Sequence, residues 1–252
     1  MDRTSGSGAS DRIGHPPLRL VAVTHGTPST ANREAVIRLV DGVASARPEL
    51  NVSITFVDAS NVDVGSALEA AAEPDAVIVP LVLSAGFHVR TGLSLGLDRI
   101  GGSARLAAEL GPDERIVRVL AQRLDELGLA EGDTVLLAAA GSNDPRAVRE
   151  CFETARRLGQ RLGRSVTAGF IAAAIPRLPD AIEMIREVHP GSRVVVVPYL
   201  LAPGTFYDQA ATSGADAIAD PLLLPGEPAP AALVDLVLDR YAAVGQDRRE
   251  RA

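Results

Sequence analysis

Apolar and polar positions along this chain fall into two kinds of run that alternate. The segments "LRLVAVT" (18–24), "VSITFV" (52–57) and "DAVIVPLVL" (75–83) are short and almost continuously apolar, the pattern of parallel strands covered on both faces. Between the first two, "ANREAVIRLVDGVASARP" puts apolar residues at Ala35, Val36, Leu39, Val40 and Val43, which is one face of a helix, and Pro48 closes it. "DVGSALEAAAE" (63–73) predicts a short helix, and "DERIVRVLAQRLDELGL" (113–129) a longer one ending near Gly128. The order then restarts. "DTVLLAAA" predicts a strand, "GS" a small-residue turn, and "NDPRAVRECFETARRLGQRL" a helix. "SVTAGFIAA" is a strand, "RLPDAIEMIREVHPG" a helix with His189 at its end, and "SRVVVVPYLLAPGTF" a strand leading into a Gly-aromatic turn. "APAALVDLVLDRYAAV" predicts a closing amphipathic helix, with 246–252 a frayed tail.

The two halves can be laid on each other. "LVAVTHGT" matches "VLLAAAGS", pairing Gly26 with Gly141 and Thr27 with Ser142. "VIVPLVLSAGFH" matches "VVVPYLLAPGTF", pairing Pro80 with Pro198 and Gly86 with Gly204. Gly and Pro are 54 positions apart in the first copy (26 to 80) and 57 in the second (141 to 198). Shared motifs in the same order at near-equal spacing indicate an internal duplication. The expectation is an α/β chain of two similar lobes, 18–130 and 131–245, each a parallel sheet flanked by helices.

One difference between the copies carries chemistry. His25 in the first is Ala140 in the second, and His88 is Phe206. Core histidines have no reason to disappear as a pair, whereas two histidines serving one site do. In an open parallel sheet, ligands bind beyond the carboxyl ends of the strands, where strand order reverses. His25 follows the first strand and His88 the third, so a 2-1-3 order sets them on either side of that crevice. Asp58, directly after the second strand, adds a carboxylate on the same edge. Two imidazoles and a carboxylate, open on the remaining sides, suit a divalent first-row metal.

Composition narrows the field. Of 252 residues 46% are hydrophobic, enough for a substantial core, and the formal net charge of −7 argues against a nucleic-acid partner. All 25 basic residues are Arg, which excludes Schiff-base, P-loop and general-base lysines. The single Cys, Cys151, excludes an intramolecular disulfide and a Cys-based zinc cage, and its helical context reads as packing. Cysteine usage fits a reducing cytoplasm. Residues 1–17 are polar, rich in Ser and Gly and without an apolar core, so a disordered lead-in is expected there and no signal peptide. No apolar run approaches a membrane span.

"THGT", "FVDA" and "VPLVLSAGFHV", duplicated with the histidines lost from the second copy, resemble the class II tetrapyrrole chelatases, in particular the sirohydrochlorin chelatase branch, which includes cobaltochelatases of cobalamin biosynthesis. The resemblance covers most of the chain. It implies two flavodoxin-like lobes with the active site between them. It implies insertion of Fe²⁺ or Co²⁺ into sirohydrochlorin, with Fe²⁺, Co²⁺ or Ni²⁺ as a metal substrate and no tightly bound cofactor. The family's metal-binding and proton-accepting histidines fall on His25 and His88. Its acidic metal partner, usually Glu, falls on Asp58. Thr27 stands where Ser is common, and Gly92 where many relatives carry an acid. The substrate's carboxylates call for Arg and N–H donors. Arg90 is the first candidate, Arg33, Arg146 and Arg177 are weaker ones, and the turn at Gly141 and Ser142 opens a helix that could hold an acid group. A haem-pathway ferrochelatase and a non-catalytic metal or tetrapyrrole carrier are the alternatives. A nucleotide-binding module lacks its Gly-rich phosphate loop. The tetrapyrrole is the expected small-molecule partner, with no membrane partner, and the duplication lets a monomer form a complete cleft.

Overall fold

A computed structural model describes residues 19–26, 28–58, 76–84, 98 and 104–251. The first half contains β1 (Arg19–Gly26), α1 (Thr30–Ala46), β2 (Val52–Asp58), β3 (Ala76–Pro80), β4 (Arg105–Leu106) and α2 (Glu114–Leu127). The second contains β5 (Thr134–Ala139), α3 (Pro145–Leu162), β6 (Val166–Phe170), α4 (Leu178–Val188), β7 (Val194–Tyr199), α5 (Thr205–Ala211), β8 (Ala217–Ile218) and α6 (Ala231–Arg251). The helix expected over 63–73 lies outside the described residues.

The strands form two four-stranded parallel sheets of matching order, β2-β1-β3-β4 and β6-β5-β7-β8. Their registers match residue for residue. Val23 is the partner of Pro80 in the first sheet and Ala138 of Pro198 in the second. Ile78 is the partner of Leu106, and Val196 of Ile218. Each lobe is thus an α/β unit built on the same pairing. Proline has no N–H to donate, and Pro80 and Pro198 stand at or next to the ends of their strands, where a missing ladder bond costs least.

Helix ends follow the local chemistry. The Ser29 hydroxyl accepts from the Asn32 N–H at 3.2 Å and starts α1. Asp113 caps α2, which ends on Gly128 in the left-handed conformation. Asp144 caps α3, with Pro145 in its first turn. His189 is the C-cap of α4, its N–H bonding the Ile185 carbonyl.

The helices are exchanged between the halves. The final helix, α6, packs on α1 and β3 of the first sheet, while α2 packs on β7 and α3 of the second. One continuous apolar core consequently runs through both lobes, from Leu20, Leu39 and Val79 to Leu120, Leu137, Leu158 and Leu236. A separate cluster lies on the far face of the second sheet, where α4 covers Leu136, Ala138, Val194 and Val196. Arg123 on α2 is buried and donates to the carbonyls of Pro221 at 3.1 Å and Leu222 at 3.2 Å, so polar bonds also tie α2 to the second half.

Three details depart from the sequence reading. The last helix runs on to Arg251 through the segment expected to be a tail, since "QDRRER" contains no helix breaker. The two-residue strands β4 and β8 and the short α5 are too brief to leave a periodic signal. The first strand reaches Gly26, so His25 belongs to β1 rather than to the loop after it. Among the described residues no helix is long and apolar enough to cross a membrane.

Candidate active-site cleft

The carboxyl ends of both sheets face a cleft of about 550 Å³ between the lobes, a size suited to small-molecule binding. From the first lobe come Thr24 and His25 at the end of β1, Asn32 and Val36 on α1, and residues 81–84 beyond β3. From the second come Ala140, Gly141 and Ser142 beyond β5, Tyr199 at the end of β7 with Leu200 and Leu201 beyond it, and Gly204, Thr205 and Phe206 at the start of α5. The matched registers place His25 and Ala140 at equivalent points, each two residues past the strand position that pairs with proline.

His25 is exposed in the cleft, with Val57 as its backbone partner in β2; the next pair along, Gly26 with Asp58, ends the ladder. The two chain positions therefore meet on one edge of the sheet. The protein around His25 withdraws water from the imidazole and lowers its pKa from the ordinary value, which favours the neutral ring. Thr27, His88 and Arg90 lie outside the described residues, and Asp58 is the last residue of β2. Among the described residues no group of three His, Cys, Asp or Glu side chains is gathered to hold a metal.

Gly141 and Ser142 do line the cleft. Gly141 has a φ of +93°, and a Cβ there would collide with the Ala172 carbonyl oxygen, so only glycine fits. The Ser142 hydroxyl accepts from the Asp144 N–H at 3.0 Å, shaping the turn into α3. The turn's geometry depends on the loop after β6, whose Ala172 N–H bonds the Ala140 carbonyl at 2.8 Å.

The weaker arginine candidates are engaged elsewhere or lie apart. The Arg33 guanidinium lies 4.6 Å from the centre of the Phe56 ring, and Arg146 pairs with Glu150 at 2.9 Å. Arg177 is exposed at the N-cap position of α4. No described residue lining the cleft carries a formal charge other than what His25 can acquire.

Three bonds across the lobes hold the cleft, and none was foreseen. The Tyr199 hydroxyl donates to the Leu83 carbonyl at 3.1 Å in the buried floor. The Ser84 hydroxyl donates to Glu150 at 2.9 Å, and the Asn32 amide donates to the Pro203 carbonyl at 2.6 Å. The partners are 66 or more positions apart in sequence, so no local pattern could have revealed them; only the tyrosine, polar at the end of an apolar strand, offered a hint. Burial raises the Tyr199 pKa, keeping the phenol protonated as a donor, and burial likewise pushes the Cys151 thiol up to about 12, in keeping with a packing role.

The family model for CbiX matches residues 19–127 and 134–219. The chain belongs to the CbiX family. Among solved structures, SirB from Bacillus subtilis with Fe³⁺ aligns with a TM-score of 0.68 at 21% identity, over 89% of this chain and 94% of that one. SirB from Bacillus subtilis subspecies spizizenii, a sirohydrochlorin chelatase in complex with cobalt, aligns at 0.67 and 16% identity, over 93% and 97%. CbiX, described as the terminal enzyme of sirohaem biosynthesis in denitrifying bacteria, aligns at 0.61 and 21% identity, over 88% and 98%. A search of curated protein sequences returned no significant match. At these identities the likeness establishes the shared chelatase-like fold, and the expected two-lobed architecture with it.

Proposed function

We propose that this CbiX-family chain inserts a divalent metal, Fe²⁺ or Co²⁺, into sirohydrochlorin. The observation that carries the reading is the position of His25. The two sheets share one register, yet only the first copy places an imidazole at the cleft, where the second has Ala140. A duplicated frame that keeps a histidine in one half alone has divided the work between metal and macrocycle.

The chemistry suits the residue types. Insertion requires the metal to exchange its ligands for four pyrrole nitrogens, and two pyrrole N–H protons to leave. A neutral imidazole can ligate the metal or accept one of those protons near neutral pH, and desolvation holds His25 in that form. In this reading His88 and Asp58 complete the metal-handling set, while Thr27, Arg90, Gly141 and Ser142 meet the macrocycle's acid groups. An incomplete set of protein ligands lets the metal move on, where a closed four-ligand shell would retain it. The metal is thus a substrate, with no tightly held cofactor. We place the enzyme in the cytoplasm as a monomer, since one chain supplies both walls of the cleft.

The test is to mix the purified protein with metal-free sirohydrochlorin and, separately, Fe²⁺, Co²⁺ or Ni²⁺, and to follow the visible spectrum. The reading expects insertion well above the protein-free rate with at least one metal. Equal rates with and without protein for all three would favour a non-catalytic carrier.

A further inference from the structure

Six large hydrophobic side chains are exposed among the described residues: Ile37, Phe152, Ile175, Met184, Val188 and Phe206. Of these only Phe206 lines the cleft. It is 44% exposed at the start of α5, in a chain where aromatic residues make up only 3%. Phe152, by comparison, is partly covered by an edge-on contact with Phe170, ring centres 5.6 Å apart.

The placement of Phe206 is built in. Gly204, with a φ of +151°, turns the chain from β7 into α5. The carbonyl just before it, of Pro203, receives the Asn32 amide from the first lobe. The root of the aromatic is therefore fixed against the wall that bears His25. The cleft that it lines is largely aliphatic, with Val36, Leu81, Leu83, Leu200 and Leu201. An exposed ring lining a cleft with aliphatic walls leaves apolar area wet unless a flat apolar partner covers it.

We propose that Phe206 is the platform on which the tetrapyrrole plane rests, a substrate-positioning residue contributed by the second lobe. The inference rests on the functional reading above and adds to it which residue of the substrate-holding lobe sets the macrocycle's tilt. At the position where the first copy carries His88, the second has exchanged a ligand for an aromatic face. Stacking on a conjugated macrocycle is tolerant of its peripheral acid groups, so Phe206 fixes the plane while polar groups at the rim fix rotation within it.

The test uses the full-length protein, metal-free sirohydrochlorin and no metal. The protein is labelled with 4-fluorophenylalanine at its five Phe positions, and the Phe206 signal is assigned by its loss in Phe206→Leu. Sirohydrochlorin is expected to move the Phe206 resonance strongly upfield through the macrocycle's ring current and to leave that of Phe152 in place. In parallel, Phe206→Ala is expected to raise the Kd for sirohydrochlorin roughly tenfold and Phe206→Trp to keep it near wild type, with Co²⁺ binding unchanged in both. If wild type binds but the Phe206 resonance stays put, or Phe206→Ala binds as tightly as wild type, the platform is wrong while the functional reading stands. If wild type itself does not bind sirohydrochlorin, both fall.

Discussion

The phenol of Tyr199, the last residue of β7 in the second lobe, donates a buried hydrogen bond of 3.1 Å to the carbonyl of Leu83, just beyond β3 of the first. The bond lies in the cleft floor and joins the ends of the two segments that lead, in sequence, to the repeated Gly-aromatic motifs. Removing the hydroxyl strands the Leu83 carbonyl. Tyr199→Phe is expected to lower unfolding free energy by about 1–2 kcal/mol, measured by urea titration. An unchanged midpoint and slope would mean that this bond contributes nothing.

Gly141 separates two effects that glycine substitutions usually mix. Its φ is +93° and a Cβ would strike the Ala172 carbonyl oxygen, whereas Gly163, at φ +67°, has open space around it. Gly163→Ala should cost about 1 kcal/mol from backbone strain alone. Gly141→Ala should cost at least about 2 kcal/mol and also weaken sirohydrochlorin binding, because the loop after β6 must move. Equal losses at the two sites in parallel melts would contradict the collision.

The exchanged helix α6 makes a prediction about packing. A Cβ on Gly42 of α1 would stand 2.9 Å from the Val234 Cγ2 on α6, while one on Gly132 would meet nothing within 4 Å. Gly42→Leu should destabilise by about 1–3 kcal/mol and Gly132→Ala by well under 1 kcal/mol, read from denaturant midpoints. A neutral Gly42→Leu would mean that α6 does not close on α1.

His25 links pH to both stability and chemistry. Its folded pKa lies below the ordinary 6.5, so below about pH 6.5 the unfolded chain binds more protons at this residue than the native one. Its share of stability is whole above that pH, declines as the pH falls, and stops changing below the folded pKa. An NMR titration of the metal-free protein should place the His25 midpoint below 6.5, and His25→Gln should flatten this part of the stability profile. A midpoint above 6.5 would remove the case for a ring held neutral.

The architecture was legible because it is written in local periodicity. Continuous apolar runs marked the buried strands, 3.6-residue spacing marked α1 and α2, and Pro48 and Gly128 marked where those helices stop. The duplication could be read because motifs recur in order, and the strand registers carry the same equivalence. What stayed hidden was whatever depends on distant partners. Nothing near Ser84 signals Glu150, nothing near Asn32 signals Pro203, and no helix pattern says onto which sheet the helix will fold. The weaker arginine candidates depended on distant geometry in the same way. Arg146 faces Glu150 one helical turn along, a competing partner that made it a helix-surface ion pair instead of a cleft residue.

In the proposed division of labour His25, opposite Ala140 in the second lobe, handles metal during insertion. The direct measurement is the initial rate of Co²⁺ insertion into sirohydrochlorin at neutral pH for wild type, His25→Ala and Ala140→His, with melting curves to show that each is folded. His25→Ala is expected to lose at least about a hundredfold in rate, the scale of a removed acid–base group, with no rescue when Ala140→His is added to it. A folded His25→Ala that inserts metal at close to the wild-type rate would contradict that division of labour.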